Sequence, residues 1–130
     1  GPKGVGKTKI MLDDVNAAAE KAKGNVVFIT DKRMCSVAIN LNVRCVYTEE
    51  YGINTVDGFE GFIKGLIAGN HDIENIFIDG ILRITDANLD QLEKPFNEIK
   101  KICDENDVAL EVTVSATKEQ LPKYMLEYIA

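Results

Sequence analysis

The chain contains 130 residues, of which 45% are hydrophobic and 28% are charged, a composition that fits one folded domain over residues 1–130 and excludes a disordered chain. Its 21 acidic residues outnumber the 15 basic ones and give a net charge of −6, so we expect no DNA or RNA partner. No run of residues has the roughly 18 apolar positions of a membrane span, and we expect a cytoplasmic protein without membrane insertion. Cys35, Cys45 and Cys103 are scattered and are expected to be free thiols.

The opening segment predicts a helix that runs to about Lys23. Met11, Val15 and Ala22 recur at helical spacing and form one apolar stripe. Because the chain does not start with methionine, we expect that the first strand of the fold precedes Gly1. Gly1-Pro2 is also the pair that some tag-removal proteases leave behind, so two origins of this pair stay open.

The first part of the chain after this helix predicts one clear strand and one uncertain region. Val26–Thr30 is a continuous apolar run rich in β-branched residues, which is typical of a strand buried on both faces of a parallel sheet. Between Cys35 and Tyr47, two short β-prone runs flank Asn40–Asn42. They predict a strand pair or irregular strands.

The middle of the chain predicts helix, strand and helix. A helix is expected from the apolar stripe over Val56–Ile67. Glycines at 58, 61, 65 and 69 lie on an adjacent face and weaken the helix by about 1 kcal/mol each, so we expect it to depend on close packing. Asn75–Gly80 predicts a second buried strand. Leu89–Cys103 predicts a further helix that Pro95 kinks or divides.

The last part predicts a third strand over Ala109–Val114 and a final helix over Tyr124–Ile129 that follows a capping-box spacing at Thr117–Gln120. Strands that alternate with helices predict an α/β fold, with a mostly parallel sheet between two helical layers. Such sheets bind ligands at the carboxyl ends of their strands. Asp31, Asp79 and Ser115 follow predicted strands.

The strongest motif is Gly1–Thr8, which matches the phosphate-binding pattern G-x-x-x-x-G-K-[ST] at every fixed position. Glycines let successive backbone N–H groups point at phosphate oxygens. Lys7 supplies a positive charge for the β and γ phosphates, and the Thr8 hydroxyl is a ligand for Mg²⁺. The predicted nucleotide-binding residues are Gly1, Lys3, Gly4, Val5, Gly6, Lys7 and Thr8.

A second motif supports the first. Ile76–Asp79 is an apolar strand that ends in an acid, as expected for a carboxylate that holds the metal. Many buried strands also end in Asp as a turn residue, so the pairing with the loop motif is what favours a metal-binding role for Asp79.

With both motifs, the chain resembles the P-loop NTPase superfamily, with Gly1–Thr8 as Walker A and Ile76–Asp79 as Walker B. It is similar to small bacterial P-loop proteins, some of which are labelled twitching-motility ATPases. The resemblance implies ATP and Mg²⁺ as cofactors, with Lys7 and Asp79 in catalysis. Gly80 stands where many ATPases place a catalytic Glu. The absence of an Asn-Lys-x-Asp motif favours ATP over GTP.

The residue that orients the attacking water is not identified by a motif. Asp31 is the first candidate, ahead of Glu49 and Glu50, with an ordinary solvent-exposed acid as the alternative. Ser115 could sense the γ-phosphate, but capping of the last helix is the better interpretation.

Other polar and aromatic residues carry weaker signals. Three arginines could stabilise phosphate charge, although none has a motif around it: Arg33, Arg44 and Arg83. An exposed helix end explains His71 better than catalysis does. Four aromatic residues could stack on adenine, but residues of this type at helical spacing are usually core: Tyr47, Tyr51, Phe59 and Phe62.

Three functions follow from this pattern. The first is an ATP-binding protein with slow Mg²⁺-dependent ATPase activity, in which a protein partner or a second copy of the chain completes the site. The second is a small-molecule kinase directed at a nucleoside, because GPKGVGKT and Asp31-Lys32-Arg33 loosely resemble thymidine kinase. The third is a non-catalytic switch or scaffold that binds nucleotide, which the missing catalytic acid favours.

Overall fold

The computed structural model describes residues 5–33, 39–114 and 121–129, and within these residues four parallel strands form one sheet. The strands are β1 (Asn25–Thr30), β2 (Val43–Tyr47), β3 (Ile73–Ile78) and β4 (Ala109–Val112). Their order across the sheet is β2-β1-β3-β4, and every neighbouring pair is parallel. The predicted α/β fold with a parallel sheet is therefore confirmed.

One face of the sheet is covered by helix α1 (Val5–Lys21). Met11 and Val15 on this helix are fully buried and pack with Phe28 of β1 and Phe77 of β3. Because side chains alternate between the faces of a strand, Val27 and its neighbours at alternate positions point to the other side. The predicted stripe of α1 is thus the surface that attaches this helix to the sheet.

The other face is covered by α2 (Val56–Gly69) and α4 (Leu89–Glu105). Ile63 of α2 and Phe96 of α4 are fully buried in one cluster with Ile76 and Ile78 of β3. A short helix that the sequence did not predict, α3 (Ile81–Thr85), follows β3 directly. Helices on both faces leave the strand ends as the accessible edges of the sheet.

The region between Cys35 and Tyr47 was predicted to form a strand pair or irregular strands, and the structure describes the second of its two runs. Its second run forms β2, which pairs in parallel with β1, and residues 34–38 lie outside the described residues. A parallel neighbour is compatible with the run because β2 joins the existing sheet and does not need an antiparallel partner.

Helix α4 continues through Pro95, so the prediction that this proline divides the helix is wrong. Proline inside a helix costs about 3 kcal/mol. The helix buries Leu92, Phe96 and Ile99, each worth about 1.5–3 kcal/mol, and a capping box between Asn88 and Gln91 stabilises its start. Tertiary packing therefore outweighs the local penalty.

The glycines of α2 and the carboxyl-terminal segment give two further differences. A Cβ at Gly61, Gly65 or Gly69 would meet only open space, so the apolar stripe and not the glycine face packs α2 onto the protein. The predicted last helix is a 3₁₀ helix over Lys123–Tyr128, and the predicted cap at 117–120 lies outside the described residues.

Candidate functional site

The carboxyl ends of β1, β3 and β4 bring polar residues to one edge of the sheet. Asp31 follows β1, Asp79 follows β3, and Thr113 follows β4. These strands are neighbours in the order β1-β3-β4, so the three residues lie side by side. The amino-terminal turn of α1, with Lys7 and Thr8, reaches the same edge.

Thr8 and Asp79 are 71 positions apart in the chain and face each other at this edge. The Thr8 hydroxyl lies 3.4 Å from each carboxylate oxygen of Asp79. Asp79 is only 2% exposed, so its carboxylate interacts with the neighbouring protein groups and hardly with solvent. The first positions of the loop motif, residues 1–4, lie outside the described residues.

Thr113 holds the Asp79 carboxylate in one orientation. Its hydroxyl donates a 2.6 Å hydrogen bond to Asp79 Oδ1 and accepts one of 2.8 Å from the backbone N–H of Gly80. The backbone N–H of Asp79 donates to the carbonyl of Ile29 in β1. A buried carboxylate needs such partners because leaving it unpaired is unfavourable by several kcal/mol.

Thr113 was missed by the sequence reasoning, which looked to Ser115 for a polar residue at this strand end. Ser115 lies outside the described residues. The available signal was a threonine within the predicted strand Ala109–Val114, but a threonine is common in strands. Only its contact with Asp79 distinguishes it.

Lys7 extends along the same edge to β4. Its Nζ donates a 2.5 Å hydrogen bond to the backbone carbonyl of Val114, 107 residues away in the chain. The ammonium group therefore lies beside the strand end that carries Thr113. The Lys7 ammonium group and the Thr8 hydroxyl of α1 thus lie at neighbouring positions along the carboxyl ends of the strands.

Arg83 of α3 adds a second cation. Its guanidinium lies 3.4 Å from Asp31 and 3.8 Å from Asp79 Oδ2. Burial is the largest influence on Asp31 and acts to raise its pKa, but the hydrogen bond and charge of Arg83, with smaller contributions from the Asp31 backbone and Thr30, outweigh it. The pKa of Asp31 is lowered as a result, so Asp31 is ionised at neutral pH.

Gly80 makes room for this arginine. Its backbone has φ +79°, and a Cβ at this position would overlap the Arg83 guanidinium. Glycine adopts such a left-handed conformation without strain. The guanidinium of Arg83 thus covers the residue that follows Asp79.

Several sequence candidates lie away from this group. Glu50 pairs with Arg33 at 2.8 Å, and Arg33 lies 4.7 Å from the centre of the Tyr47 ring, so these residues form a separate cluster near the end of β2. Phe59 is buried in the core. Glu49 reaches the group through its backbone, since its N–H donates a 2.9 Å hydrogen bond to the carbonyl of Asp31. The remaining candidates have no contact with Asp79 among those of the described residues: Arg44, Tyr51, Phe62 and His71.

His71 belongs to the opposite edge of the sheet. It is an exposed turn residue directly before β3, and it lines an open cleft with Asp72, Glu74 and Asp107. The amino ends of the strands face this cleft, so His71 is remote from the Asp79 carboxylate.

A carboxyl pair links α1 to β4 outside the site. Glu111 of β4 is half-buried, and a hydrogen bond joins its side chain to that of Asp14. Burial, then the hydrogen bond and the charge of Asp14, raise the pKa of Glu111 to about 7. The Glu111 carboxyl is therefore protonated at mildly acidic pH.

Among the described residues, no group of three or more His, Cys, Asp or Glu side chains could hold a metal ion by itself. A single carboxylate with a hydroxyl still suits Mg²⁺, because Mg²⁺ takes oxygen ligands and is commonly bound by one or two carboxylates together with substrate phosphates. Thr8 and Asp79 supply such oxygens.

Comparison with known proteins finds no matching family model, no matching curated protein and no matching solved structure. No helix in the described parts of the chain combines the length and apolar character needed to cross a membrane. The site must therefore be interpreted from its own chemistry.

Proposed function

We propose that this protein is a P-loop nucleotide-binding protein that binds ATP with Mg²⁺ and hydrolyses it slowly. The observation that carries the proposal is the contact between Thr8 and Asp79, at 3.4 Å, beside Lys7 and at the carboxyl edge of a parallel sheet. Two motifs far apart in the chain would not meet by local structure alone. Their meeting at the edge where parallel sheets bind ligands supports one shared site.

In this proposal different groups of the site bind different parts of the triphosphate. Backbone N–H groups of the loop and the start of α1 hold phosphate oxygens, since a helix N-terminus attracts anions. Lys7 leaves the Val114 carbonyl to bind the β and γ phosphates. An ammonium already held at this edge needs only a local side-chain rotation to do so.

Thr8 and Asp79 are the residues that would hold Mg²⁺, and the metal would neutralise phosphate charge. Thr113 keeps the Asp79 carboxylate in place through its 2.6 Å bond. Asp31 is the residue proposed to orient the water. Because Arg83 lowers its pKa, Asp31 is a weak base, which is consistent with slow turnover.

A nucleotide-binding switch without turnover is the second candidate. The observation that favours it is the engagement of Asp31 by Arg83, together with Gly80 at the position of a catalytic Glu. A carboxylate held by an arginine is poorly placed to activate water. The protein would then respond to bound ATP through its surface.

The decisive experiment is calorimetric titration of the full chain with ATP in the presence and absence of Mg²⁺. The Lys7→Ala variant is expected to weaken binding by about 10- to 100-fold, because it removes a charged hydrogen bond worth about 1.5–3 kcal/mol. Lys9→Ala is the matched control, since Lys9 is an exposed lysine on the same helix. It should bind ATP as the unmodified protein does.

The metal site is tested by Asp79→Asn in the same titration. We expect Mg²⁺ to strengthen ATP binding in the unmodified protein and to have little effect on this variant. Absence of ATP binding, or equal effects of Lys7→Ala and Lys9→Ala, would contradict the proposal. Phosphate release above the Lys7→Ala background would then separate the ATPase from the switch.

A further inference from the structure

The guanidinium of Arg83 occupies the centre of the polar edge without a close bond to either neighbouring carboxylate. It lies 3.4 Å from Asp31 and 3.8 Å from Asp79. Charge-assisted hydrogen bonds between a guanidinium and a carboxylate are usually about 2.7–2.9 Å long. Arg83 is thus held by the charge of two acids and not by a tight pair.

The side chain is also free to change partners. About half of it is exposed to solvent, at 48%, whereas Asp79 is almost fully buried. The short helix α3 brings it back over Gly80, where the missing Cβ leaves space for the guanidinium. The partly exposed guanidinium of Arg83 therefore faces the Thr8–Asp79 pair from the side of β1.

We propose that Arg83 is a specificity residue that distinguishes ATP from ADP by binding the γ-phosphate. A divalent cation bound at Asp79 would repel the guanidinium from that carboxylate, whereas a terminal phosphate would attract it. The fork of N–H donors of arginine matches phosphate oxygens. ADP lacks that phosphate and leaves Arg83 with Asp31.

This inference rests on the proposed function, and it assigns to Arg83 a role that the two motifs do not contain. It also explains the Gly80 position. A side chain at position 80 would push the guanidinium of Arg83 away from this edge. The residue after Asp79 is therefore small because the arginine needs the space, and it does not act as a catalytic acid.

The test compares the affinities of a non-hydrolysable ATP analogue and of ADP, both with excess Mg²⁺, by calorimetry on the full chain. The Arg83→Met variant keeps much of the side-chain length and removes the charge. We expect it to weaken binding of the ATP analogue about 10- to 100-fold and to change ADP binding less than about threefold. A merely structural role of Arg83 would weaken both nucleotides alike.

Two further variants sharpen the result. Arg83→Lys restores the positive charge and is expected to recover at least about fivefold of the lost preference for the ATP analogue. Arg33→Met is the matched control, because Arg33 is an arginine near the end of β1 that pairs with Glu50, and it should leave the preference unchanged.

The failure of this inference can be told apart from failure of the proposed function. If the unmodified protein binds the nucleotides and Lys7→Ala weakens binding about 10- to 100-fold, the proposed function stands. If Arg83→Met then changes the two affinities by the same factor, or Arg83→Lys behaves as Arg83→Met does, Arg83 does not read the γ-phosphate. If neither nucleotide binds, both proposals are wrong.

Discussion

The orientation of the Asp79 carboxylate by Thr113 leads to a quantitative prediction for Thr113→Val. Valine has nearly the same shape and lacks the hydroxyl, so the variant removes two buried hydrogen bonds at once. The bond to the Asp79 carboxylate, at 2.6 Å, is worth about 2 kcal/mol, and the bond from the Gly80 amide, at 2.8 Å, about 1 kcal/mol. We expect the free energy of unfolding to fall by about 3 kcal/mol.

The assay is urea denaturation followed by circular dichroism, with the slope of the transition unchanged. Thr113→Ser is the matched control, because it keeps the hydroxyl and loses one methyl group, worth about 1 kcal/mol. In an Asp79→Asn background the Thr113 bond goes to a neutral oxygen, so Thr113→Val should cost only about 2 kcal/mol there. A cost below about 0.5 kcal/mol, or the same cost in both backgrounds, would refute the reasoning.

Three further predictions concern backbone strain, pH and packing. Gly80→Ala should destabilise the protein by about 1–2 kcal/mol because alanine is strained at positive φ. The variant should also displace Arg83 and lower the preference for ATP over ADP. Unchanged stability would contradict the claim of backbone strain at this position. Because the pKa of Glu111 is raised to about 7 in the folded protein, the folded state binds more protons than the unfolded state between about pH 4.5 and 7. Stability should therefore fall as pH rises through that window, and Glu111→Gln should reduce the fall in melting temperatures measured from pH 5 to 8; an equal fall in both proteins would exclude the Glu111 carboxyl as its source. Phe96→Ala removes a fully buried ring and should cost about 3–5 kcal/mol in denaturation, whereas a cost under about 1 kcal/mol would show that the site collapses without a cavity.

The elements that were predicted well are those whose pattern is local and continuous. The apolar run before Asp31 and the apolar run before Asp79 both became buried parallel strands, because a strand covered on both faces has no polar alternation. The stripe of α1, with Met11 and Val15, became the buried side of that helix. Each of these patterns predicts which residues are buried from the residues next to them in the chain.

The elements that were predicted poorly depend on packing between distant segments. Pro95 indicates an interruption by local rules, yet the buried side chains of α4 keep the helix continuous. The last segment has helical spacing around Tyr124 and Met125, yet forms a 3₁₀ helix. In α4 the burial of the apolar side chains thus outweighs a local penalty of about 3 kcal/mol.

The candidate site shows the same division. Motif spacing was enough to single out Lys7, Thr8 and Asp79 as candidate groups. The contact of Thr113 with the Asp79 carboxylate and the position of Arg83 between two acids are visible only in the folded chain. Motif spacing does not predict them because the order of parallel strands sets which strand ends are neighbours, and the contacts that hold this order join residues far apart in the chain.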